Sequence, residues 1–352
     1  MAERKSYVII DFFKMFSAVL IILLHTEVLL SVSAPLQMII RNTVLTIAVP
    51  FFFTVSGFFF FKKLISSDNK AKIFKQNEKR VIQLYLIYTA IYFPFVLRSW
   101  IVNGFSAKSI LLYIRDFFFV GSFSTIWYLL ALIAGFAIAY ALFIKIGLKK
   151  AFYISIAFYA FGVLTSSYYG IIEKIPVVSN IVDGYYTVFG SVKNGLTFGL
   201  VYILLGGLIA TAEGNKTQNA EKKYFIITAI GTVGVCGEAV VQYVMNWALK
   251  GVDLKFSLLV FTYGLIMLLI NLENKFKNHK LLLKGENAGK HFRKLSTLMF
   301  LTQRIPITIC EILGASGMNS LVYTVIILAS TVAISEAIIL GSRKIKVLKY
   351  LY

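Results

Sequence analysis

Charged residues are scarce in this chain of 352 residues, and no polar globular stretch follows its last apolar segment. Only 15% of the residues are charged, whereas 58% are hydrophobic, and the mean hydropathy is +0.78. A soluble domain does not need this much apolar surface. The composition therefore predicts an all-α, polytopic membrane protein, because helices satisfy their own backbone polar groups in lipid. We expect residues 1–352 to form a single membrane domain with no appended soluble domain.

Cysteines are also scarce, and the common nucleotide-binding motifs are absent. The two cysteines, Cys236 and Cys310, lie in apolar segments without metal-ligand spacing or a disulfide pattern, so we interpret both as packing residues and expect no metal. The chain contains neither GxxxxGK[ST] nor a GxGxxG that leads into a helix. This excludes the familiar nucleoside-triphosphate and dinucleotide folds.

Long apolar runs dominate what remains. The first is too long and too charged for a cleaved signal peptide, and no small-residue cleavage site follows it. With about 20 apolar residues needed for each crossing, the pattern predicts ten membrane-spanning helices, at residues 7–29, 43–61, 81–98, 125–144, 151–168, 195–212, 224–247, 256–271, 296–313 and 320–341.

The basic residues predict the orientation of these helices. If the N-terminus is cytoplasmic, 26 Lys and Arg fall in inner segments and nine in outer ones. Since cytoplasmic loops carry the excess of Lys and Arg, this split predicts that both termini are cytoplasmic. It also explains the net charge of +20 as membrane orientation and contact with anionic lipids. We therefore expect membrane lipids, and no nucleic acid, as partners.

The first apolar run carries a polar stripe. Lys14 and His25 are eleven residues apart, or three helical turns, and so share one face. Asp11 is one turn before Lys14 and close enough to pair with it. A charge at the centre of a spanning helix costs about 2.5–3.5 kcal/mol and usually faces protein or water. Two simpler interpretations stay open: Lys14 reaches the inner headgroups, and His25 is a structural hydrogen-bonding residue.

Two predicted inner loops, Lys62–Arg80 and Asn274–Lys294, hold seven basic residues each. Topology alone accounts for such loops. The functional alternative is a cytoplasmic site for a phosphate-bearing ligand such as coenzyme A, because lysine and arginine are the usual phosphate-binding residues.

Four short motifs point to one family. They are the basic residue and histidine of KMFSAVLIILLH at 14–25, VPFFFTVSGFFFFKKL at 49–64, STIWYLLALI at 124–133 and KLSTLMFLTQ at 294–303. In these features the chain resembles the acyltransferase type three family of integral-membrane enzymes, which includes bacterial O-acetyltransferases of surface polysaccharides. The last motif departs from the family pattern, because Gln303 stands where many members have histidine.

The resemblance implies transfer of an acyl group, usually acetyl, from cytoplasmic acetyl-CoA to a hydroxyl of a cell-surface or lipid-linked glycan, in a bacterial cell membrane. It implies that His25 is catalytic and that Lys14 supports it. Arg80 fits the basic residues that the family has at that place, and we expect it to bind coenzyme A together with Lys79.

Acyl transfer to an alcohol needs a base or a nucleophile, and imidazole such as that of His25 serves as either. It also needs a donor for the thioester oxyanion. The candidates are Ser56 and Trp127, although Ser56 is also explained by close helix packing and Trp127 by anchoring at the membrane interface. Glu238 lies deep in its segment and is a candidate for a proton or substrate role, and Gln303 is a further substrate candidate.

A transporter, or a membrane module that binds an amino acid or a glycan without catalysis, is the alternative function. A related membrane domain fused to a soluble racemase is associated with amino-acid uptake, so this fold does not guarantee catalysis. The pairing of Lys14 with His25 favours the enzyme, because a transporter has no need of it. The identities of the glycan, of its hydroxyl and of the acyl group stay open.

Overall fold

The computed structural model describes residues 7–213, 220–245, 249–276 and 278–352. In these ranges the chain is helical and contains no strand. Its α-helices are α1 (Val8–Thr26), α2 (Ala34–Asn42), α3 (Ala48–Ile65), α4 (Lys70–Asn103), α5 (Ala107–Phe119), α6 (Trp127–Ile146), α7 (Leu148–Ser166), α8 (Tyr169–Ile172), α9 (Pro176–Phe189), α10 (Leu200–Ala212), α11 (Ala220–Met245), α12 (Phe256–Lys275), α13 (Lys280–Thr302), α14 (Arg304–Ile312) and α15 (Ser320–Gly341).

Nine helical segments of the described chain are long and apolar enough to cross a membrane. They are α1, the continuous stretch Ala34–Ile65, α4, α6, α7, Gly195–Ala212, α11, α12 and α15. The prediction of an all-α, polytopic membrane protein is confirmed. The predicted crossing at 296–313 is not one helix, because α13 ends at Thr302 and α14 begins at Arg304.

Both predicted basic loops are largely helical, which corrects the sequence interpretation. The stretch Lys62–Arg80 contains the end of α3 and the first three turns of α4, and Asn274–Lys294 contains the end of α12 and more than half of α13. Lys, Arg, Gln and Glu are good helix formers, so the helices continue past the apolar segments that hydropathy detects. Several residues of the predicted inner segments and of the span at 224–247 lie outside the described residues: Arg4, Lys5, Lys216, Asn246, Trp247 and Lys277.

Two predicted outer loops also contain helices. A capping box in which Ser106 and Ser109 exchange hydrogen bonds starts α5, and Pro176 starts α9 at a first-turn position that suits its missing N–H. These helices have 13 and 14 residues, or about 20 Å, which is too short to cross a bilayer. None of the α5 residues is buried, although the helix carries large apolar side chains.

The chain divides into two compact units. The first consists of Met1–Phe52, Glu213–Cys236 and Ser257–Tyr352. In it, α1, α13 and α15 pack against one another around a buried apolar cluster formed by Ala18, Ile22, Leu295, Leu298, Met299, Ile307, Ile327 and Ile339. Cys310 packs against this cluster as predicted, whereas Cys236 is exposed, and both thiols are free.

The second unit consists of Phe53–Ala212 and Gly237–Phe256, with α4, α6, α7 and α10 packed together. In this unit, α10 crosses α3 at two glycines. A Cβ atom on Gly57 would overlap the backbone of Ile203, and one on Gly206 would overlap that of Thr54. Gly57, the residue after Ser56, therefore allows the close approach of the two helices that small residues permit.

Candidate active site

The N-terminal part of the polar stripe on α1 is an ion cluster. The Asp11 carboxylate is fully buried and accepts hydrogen bonds from the guanidinium of Arg293, with Nε at 3.1 Å from both oxygens and Nη2 at 2.5 Å from Oδ2. The Lys14 ammonium lies 3.3 Å from Oδ1 of the same carboxylate. The predicted pairing of Asp11 with Lys14 is confirmed, and its geometry lets one buried carboxylate hold two cations.

Sequence reasoning missed Arg293, which it counted only as a loop charge. A buried carboxylate requires a partner that satisfies both of its oxygens, and a bidentate arginine is the side chain best shaped to do so. An aspartate in a long apolar run, Asp11, was the sequence feature that indicated such a partner. The partner lies 282 positions away, and nothing local marks it.

The first turn of α1 is held by two acidic residues. Glu273 of α12 accepts a hydrogen bond at 2.6 Å from the backbone N–H of Ile9, one of the helix N–H groups that has no partner within the helix. The Tyr7 hydroxyl donates to Glu213 at 2.6 Å. These contacts anchor the end of α1 nearest to Lys14.

His25 lies in the last turn of α1, and the helix stops directly after it. Glu27 takes a left-handed conformation with φ of 49°, the only positive φ among the described non-glycine residues. Such a conformation is unfavourable for a side chain with a Cβ and persists where the surroundings impose it. The Glu27 carboxylate lies 3.3 Å from Arg41 of α2. The strained residue thus sets the end of the helix two positions after His25.

The segment around His25 is also hydrogen-bonded to α15. The hydroxyl of Thr324 donates to that of Thr26 at 2.8 Å, and both are buried. Ser320 donates to the Val28 carbonyl at 2.8 Å and exchanges backbone-to-hydroxyl bonds with Ser31. These contacts fix the backbone on the C-terminal side of His25.

Lys14 and His25 do not meet. Both are on α1, eleven residues and about 16 Å apart along the helix axis. The structure therefore groups Lys14 with Asp11 and Arg293. Lys14 does not contact His25, so it can support His25 only through the electrostatic field of its charge and through the position of α1.

Gln303 lies at the break between α13 and α14 and is fully buried. Its amide Nε2 donates to the Phe300 carbonyl at 3.1 Å. Within the described residues its Oε1 has no hydrogen-bond partner. A buried, unpaired amide oxygen costs about 1–3 kcal/mol, and such an atom calls for a functional explanation.

Three other candidates belong to the second unit. The Ser56 hydroxyl lies 3.4 Å from that of Tyr128. Trp127 is the first residue of α6, with the Lys193 ammonium 5.7 Å from its ring centroid. Glu238 of α11 accepts hydrogen bonds from the Tyr168 hydroxyl at 2.8 Å and from the backbone N–H of Phe256 at 3.2 Å. The structure gives Ser56 and Glu238 hydroxyl partners that the sequence did not reveal.

The proposed cofactor residues lie on α4. Lys79 and Arg80 are both exposed and follow the buried Glu78. Neither has an acidic partner within ion-pair distance in the described part of the chain. Across the same ranges, no group of three or more His, Cys, Asp or Glu side chains is arranged to hold a metal ion.

A family model described as an acyltransferase domain matches residues 7–340, nearly the whole chain. The chain therefore belongs to the acyltransferase type three family, and the resemblance drawn from its four motifs is confirmed.

The curated relatives of this chain are named racemases, not acyltransferases. The chain is 32% identical over 212 residues to an amino-acid racemase of Enterococcus faecalis, covering 60% of this chain and 29% of that protein. It is 26% identical over 225 residues to a serine/alanine racemase of Enterococcus gallinarum, covering 63% of this chain and 32% of that protein. The chain thus matches about a third of the length of these relatives. No solved structure matches it.

Proposed function

We propose that this protein is a bacterial plasma-membrane O-acyltransferase, which moves an acetyl group from cytoplasmic acetyl-CoA to a hydroxyl of a cell-surface or lipid-linked glycan. One observation carries the proposal within this family of acyltransferases. His25 ends a helix whose polar stripe is held by a buried ion cluster at one end and by the strained Glu27 at the other. Structural packing alone does not require that arrangement.

The proposed proton transfers and bond changes involve the imidazole and the two substrates. His25 takes the proton of the glycan hydroxyl while the oxygen attacks the thioester carbonyl carbon, and the resulting tetrahedral intermediate carries the charge on its oxygen. The C–S bond then breaks, the acetyl ester forms, and the imidazolium returns the proton to the thiolate of coenzyme A. In the alternative route His25 itself carries the acetyl group before the hydroxyl takes it.

Supporting roles follow for the other candidates. Lys14, fixed by Asp11, supplies positive charge on the stripe. Ser56 and Trp127 are proposed as hydrogen-bond donors to the developing oxyanion through their O–H and indole N–H groups. Glu238, which already accepts two hydrogen bonds, is proposed to bind the glycan acceptor.

The donor is proposed to bind from the cytoplasm through Lys79 and Arg80, because exposed basic side chains attract the phosphates of coenzyme A. Changing both residues to alanine should weaken acetyl-CoA binding, and the loss should shrink as salt rises, since screened charges attract less. Affinity measured at low and high salt checks this. Equal affinity of the wild type and the variant at low salt would restrict the two residues to a topological role.

A second candidate function is supported by the relatives' names. Proteins named amino-acid racemase and serine/alanine racemase share this membrane region, so uptake or binding of an amino acid is the alternative. Here the chain serves as a transport or binding module, and His25 has no chemical role.

One experiment separates the two functions. The purified protein is reconstituted in vesicles and supplied either with labelled acetyl-CoA and lipid-linked glycan or with labelled serine and alanine. The acyltransferase proposal expects label in the glycan and no uptake of amino acids. Uptake without transfer would reject it in favour of the transporter.

A further inference from the structure

α1 and α13 pack in parallel, with their contacts in the same order along both helices. At the inner end, a Cβ on Gly289 would lie 3.5 Å from the Cα of Val8. Next, the Phe12 and Phe292 ring centroids are 4.9 Å apart. Further along, Ala18 and Ile22 share an apolar cluster with Leu298 and Met299 of α13.

Starting from Val8 and Gly289, the three-and-four spacing of packed helices defines a facing seam on each helix. On α1 the seam continues to the histidine, through Val8, Asp11, Met15, Ala18, Ile22 and His25. On α13 it continues to the glutamine at the helix break, through Gly285, Gly289, Phe292, Ser296, Met299 and Gln303. The contact between Gly289 and Val8, 14 residues before each of the two positions, sets the register and brings Gln303 to the level of Ile22.

Gln303 is therefore one turn before His25 on the facing seam, about 4.5 Å along the axis. Its Oε1 can only accept a hydrogen bond. Exchanging the amide oxygen and nitrogen would turn the oxygen toward the Phe300 carbonyl, so the hydrogen bond from Nε2 fixes this orientation. The unpaired Oε1 is fully buried, and the group that satisfies it must bring an N–H or O–H to this level of the seam.

Resting on the proposed function, we propose that Oε1 of Gln303 binds the donor substrate by accepting the N–H of the amide nearest to the thioester in the pantetheine arm of coenzyme A. Two methylene groups separate that amide nitrogen from the sulfur, so the N···S distance is about 4 Å. A donor that enters from the inner end of α1 and presents its thioester to His25 brings this amide one turn inward. That is the level of Gln303.

The glutamine is thus assigned to donor recognition rather than to oxyanion stabilisation, since its donating Nε2 is already engaged. The attacking hydroxyl is not its partner either, because that group has a single proton and His25 takes it.

The test compares two small thioesters, with the wild type and Gln303→Met side by side. S-acetyl-N-acetylcysteamine carries the amide, and S-pentyl thioacetate replaces it with methylene groups. For the wild type, kcat/KM should favour the amide-bearing donor, and in Gln303→Met this preference should fall about tenfold, the usual effect of one buried hydrogen bond. The KM for the glycan should not change. Gln303→Leu is the second variant if Gln303→Met does not insert.

Thr302→Val is the matched control. Thr302 is the preceding residue, is equally buried, and its hydroxyl is satisfied by the Leu298 carbonyl at 2.8 Å. This variant should lose a little stability and keep the wild-type preference between the two donors. Gln303→Met removes an unpaired buried oxygen, which favours folding, and the hydrogen bond from Nε2 to the Phe300 carbonyl, which opposes it, so its stability should stay close to that of the wild type.

An unchanged donor preference in Gln303→Met would overturn the assignment, as would a rise in the KM for the glycan alone. Binding of the unreactive thioether analogue of acetyl-CoA to the wild type and to Gln303→Met tests donor recognition independently of acetyl transfer. If the wild type transfers no acetyl group, the proposed function fails. Weaker analogue binding by Gln303→Met would still support donor recognition, and equal binding would reject it.

Discussion

At the scale of single residues, the polar groups inside this membrane protein are the most informative. Asp11, Gln303 and Lys255 are all fully buried, yet their surroundings differ. Asp11 has two cationic partners, Gln303 has an unpaired oxygen, and the Lys255 ammonium donates to the Val252 carbonyl at 2.6 Å. Each arrangement costs free energy unless a partner or a ligand compensates for it.

Lys255, in the loop before α12, gives a prediction about pH. Burial lowers the pKa of its ammonium from 10.5 to about 8, against the opposing charges of Asp253 and Glu238. Below pH 8 the group is charged in both the folded and the unfolded state, so folding bears the full cost of burying the charge. Stability should therefore rise as the pH increases from 8 to 10.5.

Lys255→Met should remove this cost and raise the free energy of unfolding at pH 7 by about 2–3 kcal/mol. The rise in stability between pH 8 and 10.5 should disappear in the variant. Thermal unfolding in detergent across this pH range checks both effects. A variant that is less stable than the wild type at pH 7 would show that the buried ammonium contributes more through its hydrogen bond than its burial costs.

At the scale of helices, α1 is oriented by contacts with distant parts of the chain. Glu273, Arg293 and Thr324 reach it from α12, α13 and α15. The sequence predicted the polar stripe of α1, because helical periodicity is local. It did not predict these partners, since nothing in a local window marks which residues the fold will bring together.

The link between Asp11 and Arg293 should be measurable as a coupling. Arg293→Ala leaves the buried carboxylate with Lys14 alone and should cost about 2 kcal/mol, because Arg293 is itself about half exposed. Asp11→Asn combined with Arg293→Ala should cost less than the sum of the two single changes. Thermal unfolding of the four proteins gives the coupling.

Lys290→Ala is the control for this cycle. Lys290 is on the same helix, and its exposed partner Glu286 is 3.8 Å away. Exposed pairs of this kind contribute little, so stability should hardly change. Strict additivity of the Asp11 and Arg293 changes would mean that the ion cluster does not join the two helices.

At the scale of the whole molecule, composition and hydropathy were enough to predict a helical membrane protein, and four motifs were enough to predict its family. The helices α5 and α9 and the helical basic segments were missed. Hydropathy detects only long apolar runs. In α5 and α9 the apolar runs are short and are interrupted by polar residues, and the basic segments are strongly charged. The break at Gln303 was also missed, although Pro306 in the first turn of α14 is a residue that interrupts a continuous helix and is tolerated at the start of a new one.

The predicted orientation of the chain is a property of the whole molecule. Single cysteines at Lys72 and Lys284, in a background without Cys236 and Cys310, should resist an impermeant maleimide in intact cells because the basic segments are expected to be cytoplasmic. A cysteine at Lys108 of α5, predicted to be outside, should react. Labelling of Lys72→Cys or Lys284→Cys from outside would refute the orientation with both termini cytoplasmic.

The central claim is that His25 performs the chemistry, and acetyl transfer by His25→Gln tests it most directly. Glutamine keeps hydrogen-bonding groups but cannot act as a base or carry an acetyl group. The purified variant, at wild-type abundance and with wild-type thermal stability, is assayed with acetyl-CoA and the glycan acceptor. We predict a loss of at least about 10²-fold in turnover. Near-normal transfer by this variant would contradict the account.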